Sequence, residues 1–590
     1  MKAAPKRQLS FLYKHIMAKT VAASLVEILE RAGVKHVHGV VGDSLNGFVD
    51  ELRNSKTIKW IHYRHEEAAA FAAGAEAQLT GRLAVCAGSC GPGNMHLING
   101  LYDAHKSNAP VLAIAAHIPS EQIGTGYFQE TRPESLFREC SYYCETIASA
   151  RQMPRVLQIA MQHAIGQNGV AVVSISGDVA MEKMENENLE HSIFLNRPAV
   201  RPSDEELQKL AQLINEAKKV TLLCGAGCAG AHDMLLALGD KIKSPMVHAL
   251  RGKEFVQYDN PYDVGMTGLI GISSGYHAVE ESDLLLMLGT DFPYKEWFPS
   301  KSKIVQLDIR PERLGRRCKL DLGLTGDVRE TIRAVLPFLE QVTDSSFLEK
   351  CQERYADNRK NLMEHAKPVK GKAIHPEFLS RVLSERAARD AIFTTDVGTP
   401  TVWAARYVDM KAGRRLIGSF NHGSMASAMP QAIGAQLAFP ERQVIALCGD
   451  GGFAMLMGDI LTILQYDLPV KLIVYNNSSL GFVAMEMKVG GMPPFGTDLK
   501  NPDFAKMAEA IGIKGIRVEE SEDVESAIAV ALAHPGPVLV DVVVNQAELS
   551  MPPKIEFEQA KGFSIYMLRQ TLKGDGKEVW DTLSSNFLGN

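Results

Sequence analysis

The chain has 590 residues, 46% hydrophobic and 22% charged, with a formal net charge of −6. That length is too great for one hydrophobic core, so three or four domains are expected. The acidic balance, with no basic cluster to offset it, disfavours nucleic acid as a partner. No apolar run approaches the roughly 18 residues that span a bilayer as a helix. The opening stretch, MKAAPKRQLSFLYKHIM, is basic but lacks the apolar core of a signal peptide, and a start at Met17 would leave residues 1–16 as an extension. Nine cysteines show neither CxxC pairs nor histidine partners and read as small buried residues of a reducing cytoplasm.

In chain order, Thr20 to Gly33 reads as an amphipathic helix stopped by glycine, and Val34 to Val41 as a strand. Trp60 to His65 is a short strand that delivers Arg64-His65-Glu66-Glu67 to an alanine-rich helix, Ala68 to Leu79. A strand from Leu83 to Ala87, the turn Gly88-Ser89-Cys90-Gly91-Pro92-Gly93, a helix to about His105 and a buried strand from Pro110 to Ala116 follow. This alternation predicts a doubly wound parallel sheet. Either Glu66 or Glu67 suits a helix N-terminus. Alternatively, a partly buried Glu66, its carboxyl pKa raised by burial, shares a proton with a neutral ring nitrogen. Spacing alone leaves both readings open.

Proline, arginine and acidic residues from Asn196 to Asp204 mark a domain boundary, giving a first domain over 17–198. A helix (Glu205 to Ala217) and a strand (Val220 to Leu223) lead into Gly225 to Gly230, a literal GxGxxG that is weak evidence by itself. The next strand, Pro245 to Leu250, ends in Arg251-Gly252-Lys253 with no acid for a ribose, which disfavours a plain NAD site. Asp308, after the strand Ile304 to Leu307, does occupy a ribose-binding strand end. Asp327 to about Arg359 reads as a helical, charged linker, and the second domain covers 199–350.

The third domain, 351–547, carries a helix (His375 to Arg386), a strand (Ile392 to Thr395) and the loop Gly423-Ser424-Met425 before an alanine-rich helix from Met429. Next come a buried strand, Val444 to Leu447, the turn Gly449-Asp450-Gly451-Gly452, and a helix with apolar Met455, Ile460, Ile463 and Leu464. A second strand, Val470 to Tyr475, runs into Asn476-Asn477. Ligands bind beyond the carboxyl ends of such parallel strands, so Asp450 and Asn477 are expected side by side. A carboxylate and an amide oxygen suit Mg²⁺, and the glycines let N–H groups approach a diphosphate. Gly88 to Ala116 repeats the order of Gly449 to Tyr475, a faint echo of two domains of one architecture. Past Pro552-Pro553, Val579, Trp580, Leu583 and Phe587 fall near one helical face, which suits interfacial membrane binding or docking on a partner subunit.

GDG followed by a helix, a strand and NN resembles the thiamine-diphosphate signature. HEEAAAFAAGAEAQL, CAGSCGPGN, GCAGAH, HALRGKE, YDNPYDVGMTGLIG, DVGTPTVWAARY, GSFNHGSMA and LGFVAMEMK resemble the pyruvate oxidase branch of that family, its quinone-linked pyruvate dehydrogenases above all, over nearly the whole chain after Met17. The resemblance implies an α/β fold of three doubly wound parallel-sheet domains, two of thiamine-diphosphate type flanking an FAD-binding domain. A C-terminal membrane-binding segment, 548–590, completes it, with a sequence of its own. It implies Mg²⁺ on Asp450, Asn477 and the carbonyl of Ser479, and Glu66 at N1′ of the thiamine aminopyrimidine, leaving Glu67 to the helix terminus. Met425 would sit beneath the cofactor's central bond. Val397, Gly398, Gly423, Ser424, Gly451 and Gly452 would touch the same cofactor, as would Ser478, Leu480, Gly481, Phe482 and Val483. Thr267, Gly268, Leu269, Ile270, Thr290, Asp291, Phe292, Pro293, Tyr294 and Asp308 would touch FAD. Phe128, Gln129, Phe482 and Glu486 would line the substrate side.

The activity so implied is oxidation of pyruvate to acetate and CO₂, with electrons passing through FAD to a membrane quinone such as ubiquinone. The resemblance implies a homotetramer, cytoplasmic and peripheral on the inner face of the cell membrane, held to phospholipid by its tail. An oxygen- and phosphate-using pyruvate oxidase making acetyl phosphate, an acetolactate-synthase-like carboligase and a non-catalytic binding protein are the alternatives.

Overall fold

The computed structural model describes residues 19–184, 199–548 and 566–567; the expected N-terminal extension and the amphipathic tail from Lys577 lie outside the described residues. The chain divides into two compact units. The first comprises Met1–Arg197, Ser419–Glu441 and Ala454–Val470; the second comprises Pro198–Gly418, Arg442–Phe453 and Lys471–Asn590.

In the first unit six strands, β1 (His36–Gly39), β2 (Lys59–His62), β3 (Ala84–Gly88), β4 (Val111–His117), β5 (Tyr143–Ile147) and β6 (Val170–Ser176), form a parallel sheet in the order β2-β1-β3-β4-β6-β5. Every residue of β4 and β6 is buried. They are continuous apolar runs because helices cover both faces of a parallel sheet. Helix α1 (Glu66–Thr80) is mostly alanine on its buried surface and ends at Gly81, in the left-handed region with φ +67°. Its small side chains let two neighbours approach closely. A Cβ on Gly100 of α2 (Pro92–Lys106) would lie 2.5 Å from the Ala70 Cβ, and one on Gly434 of α3 (Ala428–Ala438) would lie 2.1 Å from the Ala72 carbonyl oxygen.

The second unit holds two further six-stranded parallel sheets. The first contains β7 (Val220–Cys224), β8 (Met246–His248), β9 (Asp263–Met266), β10 (Leu284–Leu288), β11 (Lys303–Asp308) and β12 (Leu322–Thr325), in the order β12-β11-β10-β7-β8-β9. The chain reverses direction across the sheet between β7 and β10, a topological switch point. The other contains β13 (Ile392–Thr395), β14 (Arg415–Gly418), β15 (Val444–Gly449), β16 (Lys471–Asn476), β17 (Lys514–Val518) and β18 (Val538–Val543), in the order β14-β13-β15-β16-β18-β17. Arg406 ties the two by donating to the carbonyls of Ile270 and Gly271, both at 3.1 Å, and Glu254 pairs with Arg415 at 2.7 Å.

Two expected elements differ. Asp327 to Arg359 is not one charged linker: Val328–Val335 buries Val328, Ile332 and Val335 in the core of the second sheet, and a turn containing Pro337 separates it from the helix Ser346–His365. The helix after Gly449 is broken as well. Asp450–Leu456 gives way to a tight turn, Met457–Asp459, before Ile460–Gln465, and Met455 is 60% exposed rather than core. The Asp459 carboxylate accepts the Arg64 N–H at 2.8 Å and the Thr462 hydroxyl at 2.9 Å, which holds the break in place. All nine cysteines are free thiols. Among the described residues no helix is long and apolar enough to cross a membrane.

The contact of α3 with α1 depends on a missing side chain. Gly434→Ala is expected to cost about 1–3 kcal/mol through overpacking, read as a lower guanidinium midpoint with an unchanged slope.

Candidate cofactor site

The pairing of Gly449 with Tyr475 brings β15 and β16 to their carboxyl ends in register, so Asp450 and Asn477 emerge from adjacent strands as expected. Asp450 is 2% exposed. Its Oδ1 accepts the Gly451 N–H at 2.9 Å and its Oδ2 accepts Nδ2–H of Asn501 at 2.8 Å. Burial pushes its carboxyl pKa up, and N–H donors from Gly451, Asn501 and Ser478 offset this only in part. All of these donors are neutral, so the site lacks a positive charge that a metal ion would supply.

The loop beyond β16 is shaped for the same purpose. Ser478 adopts φ +52°, and the Asn477 Oδ1 accepts the Ser479 N–H at 3.0 Å. A Cβ on Gly481 would come within 2.7 Å of the Asn477 side-chain amide nitrogen, so the glycine that starts the helix Gly481–Val489 leaves that amide in its present position. Asn476 donates through Nδ2 to Asp541 at 2.9 Å and accepts Asn501 Nδ2–H at 3.0 Å. Carboxylate, amide and carbonyl oxygens are the hard donor set that Mg²⁺ takes together with phosphate oxygens. Val397 and Gly398 follow β13, the neighbour of β15, and Asp396 receives the Gly449 N–H at 3.2 Å, joining the two loops. Gly398 sits at φ +139°, open to an approaching group. On the helix Gly481–Val489, Phe482 is partly buried while Val483 and Glu486 are exposed.

Glu66 lies in the first unit, as the first residue of α1, and is 8% exposed. Its Oε2 meets His96 Nδ1 at 2.9 Å, and the His96 ring stacks on His65 with centroids 4.3 Å apart. A Cβ on Gly93 would lie 3.1 Å from Glu66 Oε1, so the glycine turn keeps that oxygen accessible. The same turn reaches Gln129: the Cys90 thiol donates to its Oε1 at 3.3 Å, and Gln129 holds φ +63°. Phe128 is 78% exposed beside it. The Glu130 carboxylate accepts the N–H groups of Gly124, Gly126 and Tyr127, which organises this loop.

Glu67 does more than serve the helix terminus. Its Oε1 accepts Asn99 Nδ2–H at 2.7 Å; Asn99 also donates to Ser424 Oγ at 2.9 Å and pairs through Oδ1 with His422 Nε2 at 2.8 Å. The Gly423-Ser424-Met425 loop is thereby fixed to the residue after Glu66. Gly423 has φ +84°, and Met425 is half-buried.

A second set of candidate residues gathers at the switch point of the β7–β12 sheet, where ligands of such sheets bind. Cβ atoms on Gly225 and Gly227 would meet Gly289 at 2.5 and 2.6 Å, so the GxGxxG glycines serve close approach of two strand ends. Thr267, Gly268, Leu269 and Ile270 leave β9, and Thr290, Asp291, Phe292, Pro293 and Tyr294 follow β10. Thr267 is buried with its hydroxyl unpartnered, and Asp291 lies between Arg316 and Arg317 at 3.2 and 3.3 Å. Asp308 ends β11, 3% exposed, and its Oδ1 accepts the Arg310 N–H at 2.9 Å.

Three family models match. The thiamine pyrophosphate enzyme N-terminal TPP binding domain covers 19–136, the central domain 207–335 and the C-terminal TPP binding domain 396–542. A putative thiamine pyrophosphate-containing protein, YdaP, of Bacillus subtilis (strain 168) is 41% identical over 95% of this chain and 98% of its own. The chain belongs to the thiamine pyrophosphate enzymes. Two other relatives are 32% identical: a pyruvate oxidase of Lactiplantibacillus plantarum (89% of this chain, 88% of its own) and an acetolactate synthase large subunit of Pyropia yezoensis (90% and 93%). Thiamine-pyrophosphate-dependent decarboxylating chemistry is the common ground.

The donor set at Asp450 fits that cofactor's diphosphate and its metal. Asn501, Asn99 and His96 were missed from sequence, since single polar residues in a loop or on a helix carry no periodic or motif signal. Asn501→Ala would leave both Asp450 Oδ2 and Asn476 Oδ1 without its donated bonds. Metal-dependent binding of thiamine pyrophosphate is expected to weaken about 10–100-fold, measured by calorimetric titration, with an unchanged circular dichroism spectrum.

Proposed function

We propose that the enzyme oxidises pyruvate with water to acetate and CO₂, passing two electrons and two protons to FAD and then to a membrane quinone. The observation that carries this reading is the presence, in one chain, of two distinct sets of glycine and polar residues at the carboxyl ends of parallel strands. One offers hard oxygen donors around a buried carboxylate. The other is glycine-lined, has an unpartnered buried hydroxyl at Thr267, and carries arginines at its rim. The first suits a diphosphate held through Mg²⁺; the second suits FAD at a switch point.

When bound, thiamine pyrophosphate would supply a nucleophilic carbon and an electron sink for decarboxylation, and FAD a two-electron acceptor. The chain's own residues do the rest. Asp450, Asn477 and the Ser479 carbonyl would hold Mg²⁺. Glu66, poised beside His96, would hold a proton at N1′ of the aminopyrimidine. Met425, on a loop anchored through Ser424, would support the cofactor from below. Exposed Phe128 and partly buried Gln129, with Phe482 and Glu486, would line the pyruvate side. Quinone is the acceptor that gives the C-terminal Val579-Trp580-Leu583-Phe587 pattern a purpose, since a lipid-soluble oxidant must be met at a phospholipid surface. The working form is a homotetramer, peripheral on the inner face of the cell membrane.

Anaerobic mixing with pyruvate should bleach bound flavin only when thiamine pyrophosphate and Mg²⁺ are present. Glu66→Gln should abolish the bleaching and leave folding intact. A flavin that stays oxidised while acetolactate accumulates would replace this reading with the carboligase one. Removal of residues from Lys577 onward should spare reduction of soluble dyes and weaken quinone reduction in liposomes. Equal quinone activity with and without that segment would reject the membrane role.

A further inference from the structure

On β1, His36 and His38 are two residues apart and so share one face of the strand, the face on which Glu76 of α1 packs. His38 is fully buried and its Nε2 lies 2.8 Å from Glu76 Oε2; His36 Nδ1 lies 3.1 Å from the same oxygen. The three donor atoms fall within 4.8 Å of one another. A tetrahedral ion with ligand bonds of about 2.0–2.1 Å spaces its ligands about 3.3 Å apart. The two separations from Glu76 Oε2 need only a few tenths of an ångström of expansion to admit one, with the two ring nitrogens, within 4.8 Å of each other, settling to the same spacing. The remaining nitrogen of His38, Nδ1, is held by the Tyr63 hydroxyl at 2.9 Å, and Tyr63 is itself fully buried. Such an outer partner fixes ring orientation in metal-bound histidines. The side chains of His36 and Glu76 are 13% and 11% exposed, which leaves a way in for an ion and a water.

We infer that His36, His38 and Glu76 form a binding site for a zinc-class transition ion, with Tyr63 orienting His38 and water completing the coordination. Two imidazoles and one carboxylate favour Zn²⁺ or Co²⁺ over Mg²⁺. The site stands apart from the catalytic machinery: Glu76 comes ten residues after Glu66 on α1, about 15 Å along the helix. An ion there would staple the strand β1 to α1 and stabilise the unit.

The test uses the full chain, freed of metal by a chelator and then saturated with Mg²⁺ and thiamine pyrophosphate so that the Asp450 site is filled. Titration with Co²⁺ should give a visible absorption band saturating at one equivalent, which Zn²⁺ abolishes by displacement, and Zn²⁺ should raise the melting temperature. His36→Gln should lose both the band and the thermal shift. Tyr63→Phe should keep the one-equivalent band with affinity weakened about 10–100-fold. No saturating band, or a band unchanged in His36→Gln, would overturn the assignment. Zinc-edge anomalous scattering from crystals of the unaltered chain gives a reading that needs no variant: a peak among the three side chains supports the site, and its absence there overturns it.

Discussion

A buried carboxylate held only by neutral N–H groups is the constraint around which the third domain is built. Asp450 cannot move outward, because β15 is paired on both sides and its helix begins at once. Asn501, Asp396 and the Asn476–Ser479 loop all bind this region, so the strand ends β13, β15 and β16 form one rigid rim. Rigidity matters because Mg²⁺ demands near-ideal octahedral geometry and tolerates little adjustment by its ligands. Gly481 belongs to the same solution: its missing side chain leaves room for the Asn477 amide where it now lies.

In the first unit the corresponding constraint is close packing. An alanine-rich α1 has little hydrophobic bulk, so its burial depends on neighbours that come close, through Gly100 and Gly434. That proximity has a functional result. The first turn of α1 carries Glu66 and Glu67, and the Glu67–Asn99–Ser424 chain of hydrogen bonds locks the Met425 loop beside them. One glutamate is left facing the glycine turn while its neighbour organises the surroundings. A helix N-terminus favours both carboxylates electrostatically, which is why their roles separate only through their partners.

The middle sheet shows how one glycine pattern serves different ends. Gly225 and Gly227 look like a nucleotide fingerprint, but their immediate neighbour is Gly289, from the strand across the switch point. They bring two strand ends together. The chemistry beside them comes from residues of the other loops: Thr267, Asp291 with its two arginines, and Asp308.

The alternation of apolar runs with helices was enough to read three parallel α/β domains, because strands covered on both faces leave continuous Val, Ile, Leu and Ala in the chain. The spacing of GDG and NN between two such runs was enough to pair Asp450 with Asn477, since parallel strands in register present their carboxyl ends together. Local patterns read less well where tertiary contacts overrule them. The helix after Gly449 breaks because Asp459 is claimed by Arg64, and Val328–Val335 is core because it packs on a sheet its own charge pattern does not reveal. Asn501 beneath Asp450, Asn99 between Glu67 and Ser424, and Tyr63 and Glu76 around His38 join residues far apart in the chain. Sequence by itself determined the elements and the loops that leave the strand ends, because both follow from short-range periodicity and spacing. Only the tertiary structure decided which polar side chains meet, because a hydrogen bond between distant residues exists only once the layers that carry them have packed.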